Sequence, residues 1–143
     1  RVRKPERVFA DVEGLTKTLL RVESQTDKSL SRTVMHVLWE TWPDKDAPIE
    51  PVTTVRLWNF VKSVRKDGPA VVHCSAGVGR TCTFIGLSYC VERSKSADFK
   101  MGDVVKELRS MRPKAVQMYI QYAFLCTMLI EYLADTKVIP RDA

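Results

Sequence analysis

The stretch HCSAGVGRT, residues 73–81, decides how this sequence is interpreted. It follows a short apolar run, residues 70–73, which is bounded by turn signals and is typical of a buried strand. Gly77 and Gly79 permit backbone angles that turn successive N–H groups into one concave nest. A helix predicted to begin at about Arg80 points its N-terminus at the same cavity. We therefore expect a binding site for a dianion there, with the Arg80 guanidinium as a bidentate clamp.

Cys74 is expected at the floor of this cavity, where the predicted strand ends. Amides and a helix dipole that attract an anion also lower the pKa of a thiol, so this cysteine is predicted to be a nucleophilic thiolate at neutral pH. A positively charged cavity with a thiolate at its base favours a phosphate ester as the substrate. No Lys-Ser or Lys-Thr pair follows the glycines, which argues against a nucleotide-binding loop. The Cys and Arg spacing alone also arises by chance, since many cysteines are only small buried hydrophobes.

The rest of the sequence places strands before helices and predicts an α/β domain. Residues rich in Val, Leu, Thr and aromatics predict strands near residues 8–10, 16–22 and 32–39, and residues 44–51 are typical of a loop. Helical spacing predicts helices from Val52 to a stop at residues 66–69, from about Arg80, through residues 104–111 as far as Pro113, and from Gln117 to about Ala134. The last helix is apolar on most sides, so deep burial is expected.

Length and charge indicate one ordinary globular domain. The 143 residues carry 23 Lys and Arg against 17 Asp and Glu, and 45% of them are hydrophobic, which argues against disorder and allows one core. Much of the excess charge lies in Arg1, Arg3, Lys4 and Arg7. We interpret it as a solvated basic end and predict no nucleic-acid partner, because aromatics do not interleave with these charges. An anionic substrate would suit the same balance.

The sequence contains no sign of a membrane span, a secretory signal or a metal site. No run of about 18 apolar residues occurs, the opening RVRKPERVF lacks an apolar core, and the missing initiator Met suggests a fragment or a processed chain. Cysteines and histidines are few and lack paired metal spacing: Cys74, Cys82, Cys90, Cys126, His36 and His73. We expect reduced cysteines, no metal, no cofactor and a cytoplasmic location, alone or as the cytosolic part of a larger protein.

The complete string HCSAGVGRT resembles the signature loop of the classical protein tyrosine phosphatases. Two further segments resemble the family in order and spacing: TWPDKDAP, residues 41–48, its mobile acid loop, and RSMRPKAVQMYIQY, residues 109–122, its final stretch with the glutamine loop. The resemblance implies the C-terminal half of the catalytic domain, a mixed β-sheet flanked by helices whose N-terminal part is missing. Residues 1–134 are then the partial domain and residues 135–143 a C-terminal tail.

The resemblance also implies a role for each matching residue. Cys74 is the nucleophile that forms a phosphocysteine, and Asp44, carried by the hinge residue Trp42, is the general acid and then the base. Thr81 supports the departing thiolate, and Gln117, assisted by Gln121, orients the hydrolytic water. The substrate-binding residues are Ser75, Ala76, Gly77, Val78, Gly79, Arg80 and Gln121. His73 is implied to tune the nucleophile, while Arg109 and Arg112 match buried arginines or are simply exposed charges.

Four positions depart from the family pattern: Cys82 and Asp46 replace glycines, Ala47 replaces a valine, and Met118 replaces a threonine. An Asp in place of Gly restricts the hinge and adds negative charge near a dianionic substrate, so slower closure of the acid loop is expected. Cys82 either packs or forms a protective disulfide with Cys74 on oxidation. The family's early strands, helices and recognition tyrosine have no counterpart before Arg32, so apolar surface is expected to stay uncovered.

The resulting functional prediction is a cysteine-dependent protein tyrosine phosphatase that acts in signalling on phosphotyrosine-containing proteins. The alternative is a catalytically weak or inactive phosphotyrosine-binding module. A dual-specificity phosphatase and a truncated product that does not fold are the other interpretations considered. The Trp-Pro-Asp segment and the paired glutamines favour the classical branch. The oligomeric state is left open.

Overall fold

The structure of this chain, a computed structural model, describes residues 5–27, 29–65 and 68–141. The predicted basic residues Arg1, Arg3 and Lys4, the helix stop at residues 66 and 67, and the last two residues of the predicted tail lie outside them. The chain divides into two compact units, Arg1–Trp42 and Pro43–Ala143. The predicted partial domain over residues 1–134 with a tail from residue 135 is not decided by this division and stays a prediction.

The first unit is an antiparallel sheet of three strands in the order β1-β2-β3. β2 (Leu15–Glu23) and β3 (Ser31–Trp39) pair along their whole length, with Leu15 opposite Trp39 and Glu23 opposite Ser31. Both strands were predicted within one residue of these bounds and are confirmed. Their alternating Val, Leu and Thr side chains suit a pleated surface, which explains why the sequence pattern identified them.

β1 (Glu6–Arg7) is shorter than expected and lies earlier in the chain. It pairs with β2 through Glu6 opposite Lys17. The strand predicted at residues 8–10 is wrong, because the chain turns after Val8, whose amide still donates to the Leu15 carbonyl at 3.1 Å. The amide of Val12 donates to the Phe9 carbonyl at 3.3 Å, which closes that turn.

The second unit consists of four helices, each of which the sequence predicted. They are α1 (Pro51–Arg65), α2 (Arg80–Arg93), α3 (Met101–Met111) and α4 (Tyr119–Asp135). Their core forms around Trp58, whose indole N–H donates to Ser88 Oγ at 2.7 Å and whose ring meets the Tyr132 ring edge-on at 5.4 Å. With three strands and four helices among the described residues, the α/β class is confirmed.

Close packing at Gly86 joins three helices and thereby positions the start of α2. A Cβ atom placed on Gly86 would lie 3.0 Å from Leu125 Cδ2 on α4 and 3.4 Å from Leu108 Cδ1 on α3. Leu125 itself is fully buried. Because interiors are packed as densely as crystals, these contacts leave the helices little freedom to slide. The N-termini of α2 and α4 are therefore held at fixed positions relative to each other.

Two expectations about burial are wrong. Residues 70–73 form no strand, and Val71 is 89% exposed, because an apolar run needs a neighbouring strand and no described strand pairs with it. α4 begins two residues later than predicted and is buried on one face only, with Tyr119 83% and Ile130 57% exposed. No described helix is long and apolar enough to cross a membrane.

Replacing Leu125 by alanine should lower the free energy of unfolding by about 2–5 kcal/mol, because it opens a cavity between α2, α3 and α4. Ile130→Ala on the exposed face of the same helix is the matched control and should change it by less than about 0.5 kcal/mol. Urea unfolding followed by circular dichroism measures both. Equal losses for the two variants would contradict this assignment of the core.

Candidate active site

The thiol loop, residues 74–80, turns the chain from the extended segment before Cys74 into helix α2. Gly77 has a φ of 68°, in the left-handed region that a side chain would strain. At Gly79 the neighbouring Gln121 side chain leaves no room for a side chain, because a Cβ atom there would lie 3.0 Å from Gln121 Nε2. The two glycines are therefore required for different reasons, one for its backbone angle and the other for space.

The Cys74 thiol lies at the centre of this loop and is surrounded by hydrogen-bond donors. Burial raises its pKa, but the Thr81 hydroxyl and the amides of Thr81, Gly77 and Val78 outweigh burial and lower the pKa to about 7. The Gly77 N–H donates to Cys74 Sγ at 3.3 Å. Such donors stabilise a thiolate far more than a neutral thiol. At neutral pH a substantial fraction of Cys74 is therefore ionised and nucleophilic.

The Thr81 hydroxyl is available to donate a hydrogen bond to the Cys74 sulphur. It is buried and forms no hydrogen bond of ordinary geometry among the described residues, although it is close enough to Cys74 to lower the pKa of the thiol. A hydroxyl hydrogen rotates freely to suit its partner. The arrangement suits a donor that strengthens its bond whenever negative charge appears on Sγ.

Arg80 joins the thiol loop to the acid loop, residues 43–48. Its Nη2 atom lies 3.1 Å from Ser75 Oγ and 3.0 Å from Asp44 Oδ1. Two-thirds of the Asp44 side chain is exposed, and an ion pair of that kind contributes only about 0–1 kcal/mol. An incoming dianion can therefore replace the Asp44 carboxylate on the guanidinium.

In the acid loop the left-handed backbone conformation lies at Lys45 and not at Asp46, the residue that replaces the glycine of the family pattern. Lys45 has a φ of 57°, whereas Asp46 is not among the residues with a positive φ. Asp46 Oδ1 accepts the Ala47 N–H at 2.8 Å, and the Asp46 carbonyl accepts from Gln121 Nε2 at 3.3 Å. Asp46 is thus held by two hydrogen bonds, while the left-handed residue is its neighbour, and slower closure of the acid loop stays a prediction.

Both predicted glutamines lie against the thiol loop at Gly79. Gln121 is fully buried, and its Oε1 accepts the Met118 N–H at 3.2 Å. Gln117 is exposed, and its Oε1 lies 3.4 Å from where a Cβ on Gly79 would be. The Gln121 amide is thus fixed in the interior, whereas the Gln117 amide is accessible to solvent. We therefore expect the two side chains to have different roles.

Two arginines support the loops from behind by binding backbone carbonyls. Arg112 Nη2 donates to the Ala76 carbonyl at 3.0 Å. Arg109 donates from Nε to the Ala115 carbonyl at 3.0 Å and from Nη2 to the Val116 carbonyl at 3.1 Å. Both arginines are exposed, so the expectation of buried arginines is wrong, although both side chains bind backbone carbonyls.

The contribution of Val116 could not be recognised in the sequence. Its N–H donates to the Val78 carbonyl at 2.9 Å, although its φ of 54° is unusual for a β-branched residue. A contact between backbones 38 positions apart carries no local sequence signal.

Cys82 fits its position in the first turn of α2 as a packed side chain. It is 2% exposed, and its Sγ donates weakly to the Gly77 carbonyl at 3.6 Å. Burial raises the pKa of its thiol. All four cysteines are free. This contact accounts for a small residue there without invoking oxidation.

Trp42 and His73 are the two remaining predicted contributors. Trp42 belongs to the first unit, where its ring meets the Trp39 ring edge-on at 5.2 Å, and His73 is exposed. Their roles as hinge and tuning residue stay predictions. Within the described residues, no group of three or more His, Cys, Asp or Glu side chains is arranged to hold a metal ion.

The pH dependence of alkylation tests the electrostatics of Cys74. The rate of its reaction with iodoacetamide should rise with pH and level off above about 7, since only the thiolate reacts. Thr81→Val should move this midpoint upward by about one to two pH units, the size of one hydrogen bond to a charged group. Mass spectrometry of Cys82, Cys90 and Cys126, whose pKa values are all raised, gives the internal control. An unchanged midpoint in the variant would exclude the hydroxyl as a donor to Sγ.

Comparison with known proteins identifies the family to which these features belong. The family model described as Protein-tyrosine phosphatase matches residues 7–131. Human receptor-type tyrosine-protein phosphatase H is 35% identical over 130 residues, which cover 87% of this chain and 11% of that protein. Tyrosine-protein phosphatase 2 of Dictyostelium discoideum is 32% identical over 114 residues, 74% of this chain and 30% of that protein.

Solved structures agree with this assignment. A chain from work on PTPN18 and distinct HER2 tyrosine phosphorylation sites superposes with a TM-score of 0.80 at 28% identity and covers 94% of this chain. PTPN18 in complex with HER2 phosphopeptides gives a TM-score of 0.77 at 29% identity and covers 91% of it. This chain spans 48% of the length of each. The thiol loop, the fold and the relatives together show that the chain belongs to the protein-tyrosine phosphatase family, and it spans only part of the length of the relatives that it matches.

Proposed function

We propose that this chain hydrolyses phosphotyrosine in proteins through a phosphocysteine intermediate. The observation that carries the proposal is the thiol of Cys74, with its pKa of about 7, in the same loop as a guanidinium that also reaches Asp44. A nucleophile, an anion clamp and a carboxyl group within one loop system are the parts that phosphate-ester hydrolysis needs.

In the first step the substrate phosphate binds the amides of residues 75–80 and the Arg80 guanidinium. Sγ of Cys74 attacks phosphorus, and the bond from phosphorus to the tyrosine oxygen breaks as the new S–P bond forms. The loop amides and Arg80 stabilise the charge on the equatorial oxygens, where preorganised donors have their largest effect. Asp44 gives its proton to the departing tyrosine oxygen.

Substrate binding changes the partner of Asp44. In the free chain its carboxylate pairs with Arg80 at 3.0 Å. The phosphate dianion takes over the guanidinium, so the Asp44 carboxyl becomes free to face the departing tyrosine oxygen.

In the second step water attacks phosphorus and Cys74 leaves as a thiolate. Asp44, now ionised, accepts a proton from the water, and the exposed amide of Gln117 orients it. The buried Thr81 hydroxyl donates to Sγ as negative charge returns to it. The products are inorganic phosphate and the free thiolate, so no metal or cofactor takes part in this sequence.

Phosphotyrosine-containing proteins are the proposed substrates, and signalling is the proposed context. PTPN18, a structural neighbour, was solved with HER2 phosphopeptides, which supports the same substrate class here. We also propose a cytoplasmic location. Four free thiols, one of them with a pKa of about 7, stay reduced only in a reducing compartment.

A phosphotyrosine-binding module with little turnover is the second candidate. It is favoured by the exposed segment before Cys74, where Val71 is 89% accessible. A poorly supported nucleophile would still leave the loop amides able to bind an anion. Turnover and binding must therefore be measured separately.

Phosphate release from a phosphotyrosine peptide in the presence of a chelator tests the proposed function. Cys74→Ser should reduce release at least about a thousandfold, because a hydroxyl is not ionised at neutral pH. Cys126→Ser, which removes a thiol from α4, is the matched control and should act like the unchanged chain. Release that survives Cys74→Ser contradicts the mechanism. Phosphopeptide binding without turnover by the folded chain supports the binding module, and equal turnover of phosphothreonine peptides indicates dual specificity.

Asp44→Asn should lower kcat for phosphotyrosine by about 10²–10⁴-fold, the usual contribution of a general acid. The loss should be much smaller for an aryl phosphate whose leaving group needs no proton. KM should not rise, because the variant no longer competes with phosphate for Arg80. Steady-state kinetics with both substrates measures these effects. An equal loss of kcat for both substrates would exclude Asp44 as the acid of the first step.

A further inference from the structure

One side chain, Gln121, contacts three separate segments of the helical unit. Its Oε1 accepts the Met118 N–H at 3.2 Å, and its Nε2 donates to the Asp46 carbonyl at 3.3 Å. On a third side it lies against the thiol loop, where a Cβ on Gly79 would come within 3.0 Å of Nε2. Gln121 is fully buried. It therefore links the acid loop, the thiol loop and the start of α4.

The hydrogen-bond network fixes the orientation of this amide. Met118 offers an N–H, which needs an acceptor, and Asp46 offers a carbonyl, which needs a donor. The reverse orientation would place the NH2 group against an N–H and the oxygen against a carbonyl. Because the helix start determines where Oε1 lies, the NH2 group is presented to the acid loop.

The contact with Asp46 differs in kind from the ion pair that also holds the acid loop. Asp44 and Arg80 must separate when phosphate binds the guanidinium, and their pair is exposed. The Gln121 contact uses only a main-chain carbonyl, two residues after Asp44, and no group that reacts. It can therefore persist while Asp44 changes its partner and its charge.

We infer that Gln121 is a positioning residue that holds the acid loop over the thiol loop by its hydrogen bond to the Asp46 carbonyl. The consequence of this contact is delivery of the Asp44 proton, and that part of the inference rests on the proposed function. If the loop moves away, a fully buried amide loses its acceptor, and that loss favours the closed position. The orientation of water would then belong to the exposed Gln117 alone.

Backbone NMR of the full chain tests the contact without requiring turnover. Gln121→Met keeps the volume but removes both polar atoms, whereas Gln121→Glu keeps the acceptor for Met118 and sets an oxygen against the Asp46 carbonyl. In both variants the order parameters of residues 44–47 should fall from about 0.85 to below about 0.6, with those of α2 and α3 unchanged. Gln117→Met is the matched control and should leave the acid loop ordered. Unchanged order in the Gln121 variants, or a loss of order throughout the chain, overturns the inference.

Kinetics then distinguish positioning of the acid from orientation of water. Gln121→Met should lower kcat for phosphotyrosine about tenfold and have little effect on an aryl phosphate with a good leaving group. Combined with Asp44→Asn, it should cause no further loss, because both changes act on the same proton transfer. A loss that is equal for both substrates, and that adds to Asp44→Asn, overturns the inference. Should the unchanged chain release no phosphate, the proposed function fails, and the NMR result alone decides whether Gln121 holds the loop.

Discussion

The charge on the sulphur of Cys74 is the constraint on which the rest of the site depends. Burial alone keeps a thiol neutral, as Cys90 shows: burial, with a smaller effect of Cys126, raises the pKa of its thiol to about 12. Cys74 reaches about 7 because the Thr81 hydroxyl and three amides converge on it. The same amides are the donors that a phosphoryl group needs, so ionising the nucleophile and binding the substrate impose one geometry on the loop.

That geometry is also stabilised from outside the loop. Two of the loop carbonyls have partners in α3 or the segment that follows it. Arg112 binds the Ala76 carbonyl, and the Val116 amide binds that of Val78, while Arg109 holds the strained turn at Val116. Side chains on α3 and the segment after it thus hold amides on the opposite side of the loop in position. Satisfied carbonyls leave the N–H groups free to face an anion.

The sequence predicted what local patterns encode and missed what depends on distant partners. Helical spacing identified α1 to α4, and the string at residues 73–81 led to Cys74, Arg80 and the need for glycines. The strand expected at residues 70–73 failed, because an apolar run does not reveal whether another strand lies beside it. The bond from Gln121 to the Asp46 carbonyl joins positions 75 residues apart through a main-chain atom that any residue would supply. No residue type at position 46 could have signalled it.

All the groups that the proposed chemistry uses lie in one of the two units, Pro43–Ala143. Asp44 pairs with Arg80 there, Gln117 lies against the thiol loop at Gly79, and Cys74 accepts the Gly77 N–H. Recognition of phosphate in the proposed mechanism therefore uses residues of this unit alone, whereas recognition of a protein around its phosphotyrosine requires further surface. The proposed bond cleavage and the choice of substrate are separable in such an arrangement, because the loop amides bind only the phosphoryl oxygens that every phosphotyrosine shares. A chain that spans about half of its solved relatives can thus hold every group that the proposed chemistry uses.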